Sequence, residues 1–232
     1  MKQYFLGIEF GSTRIKAVLL DEKHAIVKSG DYTWKSSLEN GVWTYHMEDV
    51  QEGLRTAIRN LGELPGKISA MGVSGMMHGY LAFDKDWNLL APFRTWQNTM
   101  TGEAADKLTE AFGFNIPQRW SAAHLYQAVL NGEPHVKNIA HVTTLAGYVH
   151  YLLTGENVLG VGEASGMFPI DSETLTYDAA MLDKFDALMA KYGFDWNIRA
   201  VLPEVRTAGQ SAGLLTPSGS EYLGGLLPAG IP

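Results

Sequence analysis

The opening hairpin constrains this chain more than any other feature. Tyr4-Phe5-Leu6-Gly7-Ile8-Glu9-Phe10 is an apolar run with a carboxylate near its end, and Gly11-Ser12-Thr13 is a tight turn of small residues. Arg14-Ile15-Lys16-Ala17-Val18-Leu19-Leu20 then runs back. Two apolar runs flanking a short Gly-containing turn read as a β-hairpin. Its turn offers backbone N–H groups and small hydroxyls, which suit a polyphosphate. The carboxylate of Glu9 at the lip suits a hydrated divalent cation held beside that phosphate. An ordinary hairpin turn carries the same pattern, so this segment alone does not decide between the two.

A second segment narrows the choice. Ile68-Ser69-Ala70-Met71-Gly72-Val73-Ser74-Gly75 reads as a buried strand of small residues. It runs into Met76-Met77-His78-Gly79-Tyr80 and a further strand, Leu81-Ala82-Phe83-Asp84. Residues just beyond a strand's carboxyl end are where open α/β sheets bind ligands.

Between and after these segments the pattern is mixed. Strands are expected near 4–10, 15–20 and 25–34, and a helix over 50–61, where Val50, Leu54, Ile58 and Leu61 recur at helical spacing with Asp49 as N-cap. Helices are predicted over 101–112 (started by Thr101), 121–130 (capped by Ser121), 144–153 and within 174–192, with short extended pieces at 158–161 and 167–170. Pattern alone supports only a mixed α/β sheet with a helical middle section.

Taken together, these motifs resemble the N-terminal domain of the FGGY family of carbohydrate kinases, with the xylulokinase branch the most similar. The resemblance rests on Gly7-Ile8-Glu9-Phe10-Gly11-Ser12 and Ser74-Gly75-Met76-Met77-His78-Gly79. It continues through Thr95-Trp96-Gln97-Asn98-Thr99, Leu153-Thr154-Gly155-Glu156 and Glu163-Ala164-Ser165-Gly166-Met167, and ends at Gly225-Leu226-Leu227-Pro228-Ala229-Gly230-Ile231-Pro232. It implies an α/β, actin-like ATPase (ribonuclease H-like) domain with a mixed five-stranded sheet and a helical insertion, occupying residues 1–232. It also implies transfer of the γ-phosphate of ATP, as its Mg2+ complex, to a hydroxyl of a xylulose-like ketose or related polyol.

By the same resemblance Glu9 stands near the metal, where the family usually has aspartate. Gly11, Ser12, Thr13 and Lys16 meet the nucleotide phosphates. Met77, His78, Trp96 and Asn98 line the sugar site, with Met76 where many relatives have Gln. The segment Arg119–His124 flanks the sugar, and Glu163 is an architectural hydrogen-bonding residue. The general-base aspartate and the nucleotide-binding C-terminal lobe are expected beyond Pro232, so the chain alone is expected to be inactive. The apolar face left for that lobe is expected to favour self-association into a homodimer.

Composition removes several other classes. The absence of cysteine excludes thiol catalysis and thiolate metal sites, and fits a cytoplasmic protein. A formal net charge of −7 argues against binding a nucleic-acid backbone, which needs basic surface. No apolar run is long enough to span a membrane. There is no Gly-x-x-x-x-Gly-Lys-Ser/Thr loop, nor a protein-kinase catalytic loop or serine-hydrolase elbow. Two alternatives to the kinase remain: a non-catalytic actin-like module that binds sugar or a partner, and a two-metal nuclease on the same fold. The nuclease would need several convergent carboxylates and a basic surface, and the sequence presents neither.

Overall fold

A computed structural model describes residues 2–232. The opening hairpin forms as read: β1 (Gln3–Phe10) and β2 (Arg14–Leu20) pair antiparallel, and β3 (Ile26–Thr33) extends the meander along β2. A small hairpin, β4 (Ser37–Glu39) and β5 (Val42–Thr44), leads into helix α1 (Met47–Arg59). Strand β6 (Lys67–Gly75) then pairs parallel with β1, giving the mixed order β3-β2-β1-β6.

Alternation along β1 and β2 explains the layering. Tyr4, Leu6, Ile8, Phe10, Ile15, Ala17 and Leu19 are buried on one face, beneath Val50, Leu54, Ala57 and Ile58 of α1. Close approach depends on Gly30 of β3, where a Cβ would lie 2.2 Å from the Ala57 carbonyl oxygen. On the opposite face Gly7, Glu9, Lys16, Ser29, Asp31, Gly72 and Ser74 are exposed.

Four strands, not five, make this sheet. The segment expected as the fifth strand, β7 (Leu81–Phe83), leaves the sheet and pairs with β8 (His141–Thr143) after helices α2 (Gly102–Phe112) and α3 (Ser121–Leu130). A turn with positive φ at His78 and Gly79 redirects the chain between β6 and β7. The outer edge of β6 instead receives the chain end, where the Met71 N–H donates to the Pro232 carbonyl at 2.7 Å.

Helix α4 (Leu145–Thr154) packs behind β6, with Ala146 against Gly75. Strand β9 (Val158–Gly160), the short α5 (Val161–Ala164), the β10–β11 ribbon (Ile170–Asp171 with Thr176–Tyr177) and α6 (Ala179–Met189) follow. One turn of helix α7 (Ile198–Val201), strand β12 (Glu204–Arg206) beside β9, and α8 (Pro217–Tyr222) complete the chain.

There are two hydrophobic cores, and β7 divides them. Leu81 and Phe83 point into the core of the sheet, α1, α4 and α8, whereas Tyr80 and Ala82 belong to the core of α2, α3 and α6. The helical insertion expected from the resemblance is this second core.

Several helix starts depart from the sequence reading. Helix α1 begins at His46 rather than Asp49, and His46 carries no side-chain cap but lies 2.9 Å from Glu39. Thr101 precedes its helix without a side-chain cap bond, and Ser121 is the first residue of its helix, after Trp120 at the N-cap position. Their hydroxyls donate instead to the Gln118 and Gly79 carbonyls. Thr144 and Asp178 do cap, accepting from the Gly147 and Met181 amides.

Candidate functional site

Parallel pairing of β1 with β6 places their carboxyl ends side by side, Phe10 opposite Gly75, and the Met76 N–H donates to the Phe10 carbonyl at 2.8 Å. The two motifs singled out in the sequence are therefore joined at one end of the sheet.

The 11–13 turn is built from behind. The Gly11 carbonyl accepts from the Trp34 indole N–H at 2.8 Å, the Ser12 carbonyl from the Tyr45 hydroxyl at 2.7 Å and the Thr13 carbonyl from the Trp34 amide at 3.1 Å. All three carbonyl oxygens are thus drawn inward. Among the described residues the Ser12 and Thr13 amides and hydroxyls donate to no protein acceptor, and both residues are exposed. Donors facing outward with carbonyls turned away is the polarity an anion requires.

Glu9 and Lys16 face each other across β1 and β2, 3.1 Å apart, both about half exposed. Ser74 lies beside Glu9 on β6 and Asp31 beside Lys16 on β3, where Asp31 also pairs with Arg14 at 3.1 Å. This makes one polar row across the sheet next to the turn. Among the described residues no cluster of three His, Asp or Glu side chains could hold a metal by itself. One exposed carboxylate fits magnesium, which keeps several waters and takes phosphate oxygens as its other ligands.

Beyond β6, Met77 is 37% exposed and His78 half buried. His78 has φ +75, a conformation uncommon for a residue with a Cβ and held here by surrounding bonds. The Gly79 amide donates to the Arg119 carbonyl, and the Ser121 hydroxyl to the Gly79 carbonyl. Burial depresses the His78 pKa below its usual value, against the hydrogen bond to the Gly166 carbonyl, which raises it, and with a smaller push downward from the Arg119 cation.

The antiparallel bridge between Tyr80 and Arg94 brings the start of the 95–98 loop beside the residue that follows the His78-Gly79 turn. Trp96 is 43% exposed and offers an indole surface. Asn98, expected to contact a ligand directly, is placed otherwise. It is 3% exposed, its oxygen accepts from the Trp43 amide at 2.8 Å, and its NH2 group donates to the Trp43 and Thr95 carbonyls. Its hydrogen-bonding capacity goes to the backbone, so it holds the loop that presents Trp96.

His124, at the far end of the 119–124 segment, is fully buried against Tyr80 and does not reach the site. Glu163 lies with Ser74 and Gly72 on a cavity of about 470 Å³. Burial raises its pKa, and one of its oxygens has no partner among the described residues. A cavity of about 540 Å³ runs along the outer edge of β6, lined by Met71, His150, Ala212 and Pro232. Among the described residues no Asp or Glu lines it.

Sequence reasoning missed the aromatic scaffold. Trp34 stacks on Tyr45, their centroids 4.2 Å apart, and Tyr45 in turn packs on Phe93. Trp43 binds the 95–98 loop through Asn98 and through its carbonyl, which accepts from the Thr95 amide. The available signal was the trio Trp34, Trp43 and Tyr45 within an otherwise polar stretch.

Comparison with known proteins gives a consistent result. The model of the FGGY family of carbohydrate kinases, N-terminal domain, matches residues 4–232. A glycerol kinase from Thermococcus gammatolerans is 25% identical over 98% of this chain and 47% of its own length. A xylulose kinase from Escherichia coli is 23% identical over 98% of the chain and 50% of its own. The crystal structure of a xylulose kinase from Rhodospirillum rubrum superposes with a TM-score of 0.82 at 22% identity, covering 99% of this chain and 48% of that one. The chain thus spans about half the length of these relatives. Because that family model matches nearly the whole chain, this chain belongs to the FGGY family of carbohydrate kinases and carries that family's N-terminal domain.

Proposed function

We propose that this chain supplies the sugar-binding half of an ATP-dependent kinase that phosphorylates a hydroxyl of a ketose or related polyol, with a xylulose-like sugar favoured. The observation that carries the reading is the junction of the donor-lined 11–13 turn with the Met77-His78 turn at one end of the sheet. A phosphate at the first and a polyol at the second would be neighbours, as in-line transfer requires.

In this reading Ser12 and Thr13 donate to the terminal phosphates of ATP. Gly11 allows close approach, since little but the Arg14 carbonyl and Glu9 would surround a Cβ there. Lys16 would offset phosphate charge, and Glu9 would hold a water-bearing Mg2+, which when bound would supply charge neutralisation. His78 and the faces of Met77 and Trp96 take the sugar. Met76 in place of the commoner Gln and Glu9 in place of Asp alter which sugar and which metal distance are optimal.

A second lobe completing the nucleotide site, and an aspartate acting as general base, would follow Pro232. Without that base alone the rate would fall about 10²–10⁴-fold. Dependence on ATP fits work in the cytoplasm. The exposed Ile26 and Val27 on the outer strand give a homodimer a place to form.

The test is a phosphorylation screen of the intact kinase containing this chain, over ketoses, aldonates and polyols, with Glu9→Ala as control. Turnover of one sugar that collapses in the variant supports the reading. A folded enzyme that is silent across the panel would favour the non-catalytic binding module instead.

A further inference from the structure

Among the described residues the His78 ring makes one hydrogen bond, between Nδ1 and the Gly166 carbonyl oxygen at 3.1 Å. A carbonyl oxygen can only accept, so Nδ1 must carry the proton. A neutral imidazole with its proton on Nδ1 has a bare lone pair on Nε2. The tautomer of His78 is thus set by a backbone atom 88 residues away in sequence.

Gly166 is placed with equal care. It is buried, its amide donates to the Glu163 carbonyl, and the next residue, Met167, accepts from the Ala122 amide at 3.0 Å. Its backbone is not in the left-handed region, so conformational freedom is not the reason for glycine here. Space is the reason. A Cβ at 166 would lie 2.7 Å from His78 Nδ1, 2.7 Å from Met77 Cγ and 3.0 Å from His78 Cε1. The same missing methyl group therefore gives room to both side chains assigned to the sugar.

We propose that Gly166 is the positioning residue that sets hydroxyl recognition in this pocket: its carbonyl locks His78 as the Nδ1–H tautomer, and its bare Cα seats His78 and Met77 together. The pocket then presents an acceptor, Nε2, beside an apolar thioether, and it takes a polyol through a hydroxyl that donates to His78. This rests on the reading of the site as the sugar pocket. Recognition by an acceptor is selective: a deoxy or O-methyl analogue at that hydroxyl leaves Nε2 without its donor.

The test uses the 232-residue chain labelled with 15N, its histidine ring nitrogens resolved by NMR, and D-xylulose, xylitol and glycerol as probes. The wild type is expected to show a protonated Nδ1 and a bare Nε2 at His78, with Nε2 shifting as the probe binds. Gly166→Ala is expected to disturb both nitrogen signals and weaken binding about tenfold, the cost of one hydrogen bond to a well-placed acceptor. His78→Gln, whose amide oxygen reaches the Nε2 position, should keep more affinity than His78→Asn, whose amide reaches only Nδ1.

A wild-type ring protonated on Nε2 overturns the proposal whether or not the variants fold. Polyol binding undiminished in a folded Gly166→Ala chain also overturns it, while leaving the sugar-site reading intact. Failure of every probe to shift any signal of Met77, His78 or Trp96 removes that reading, and the proposed ligand with it.

Discussion

The Tyr45 hydroxyl donates to the Ser12 carbonyl oxygen at 2.7 Å, joining residues 33 apart in sequence. Two residues earlier, Trp43 binds the loop that carries Trp96. One short strand end therefore braces both the 11–13 turn and the 95–98 loop, so their spacing is set within this chain.

Tyr45→Phe removes that brace while keeping the ring stacked on Trp34. The expected loss is about 1 kcal/mol of unfolding free energy, read from the urea midpoint. Nucleotide affinity of the intact kinase should fall as well, because the Ser12 carbonyl is then free to swing toward the phosphate. An unchanged nucleotide affinity would show that the turn holds its shape without Tyr45.

Glu9→Gln separates chemistry from stability. The Glu9–Lys16 pair is about half exposed on both sides, so breaking it should change stability by less than about 1 kcal/mol. Phosphoryl transfer by the intact kinase should fall by at least about a hundredfold with rising magnesium demand, if the carboxylate serves the metal as proposed. Equal effects on the urea midpoint and on turnover would contradict this division.

Acid sensitivity should track His124. Its ring is fully buried with neither nitrogen partnered among the described residues, and burial, aided by the Arg94 cation, pushes its pKa down to about 3. Between the unfolded value near 6.5 and that depressed value, the unfolded chain binds a proton that the folded chain does not. Stability is therefore highest above pH 6.5 and falls as pH drops, by roughly a factor of ten in the folding equilibrium per pH unit from this group. Urea titrations at pH 7 and pH 5 would measure the slope. A folded His124→Leu chain should lose much of it, and a slope that persists unchanged would shift the cause to His135, His141 or His150, whose pKa values burial also lowers.

Gly30→Ala probes the sheet–helix contact beneath the site. The added methyl would meet the Ala57 carbonyl and Asn60 at under 3 Å, and both contacts include helix-end backbone that cannot step aside cheaply. A loss of about 1–3 kcal/mol is expected from such overpacking. Thermal melts that match the wild type would mean that α1 shifts as a body without penalty.

The parts of this molecule governed by local periodicity were legible in advance. The alternation from Tyr4 to Leu20 determined which face of β1 and β2 is buried, and the spacing of Val50, Leu54 and Ile58 located α1. Long-range choices were not legible. Three apolar residues at 81–83 cannot show whether they pair with β6 or with a strand near 142, because strands so short carry no register of their own. Thr101 and Ser121 have the chemistry of helix caps, yet each spends its hydroxyl on a distant carbonyl. Asn98 was expected to contact the sugar, but its side chain answers to the Trp43 backbone, a partner 55 residues away. At Glu9, Ser12, Thr13 and His78 the motif located the residue, and the fold supplied its neighbours.

The partition formed by β7 has a mechanical consequence. The 11–13 turn is rooted in one hydrophobic core, whereas the His78-Gly79 turn is gripped by Gly166 and the 119–121 segment, which adjoin the other. Anything held at once by both turns acts as a rivet through the wall between two bodies that could otherwise loosen separately. Occupancy would then be felt as a merging of two melting events into one, with the insertion around α2, α3 and α6 gaining protection at sites far from any contact with the ligand.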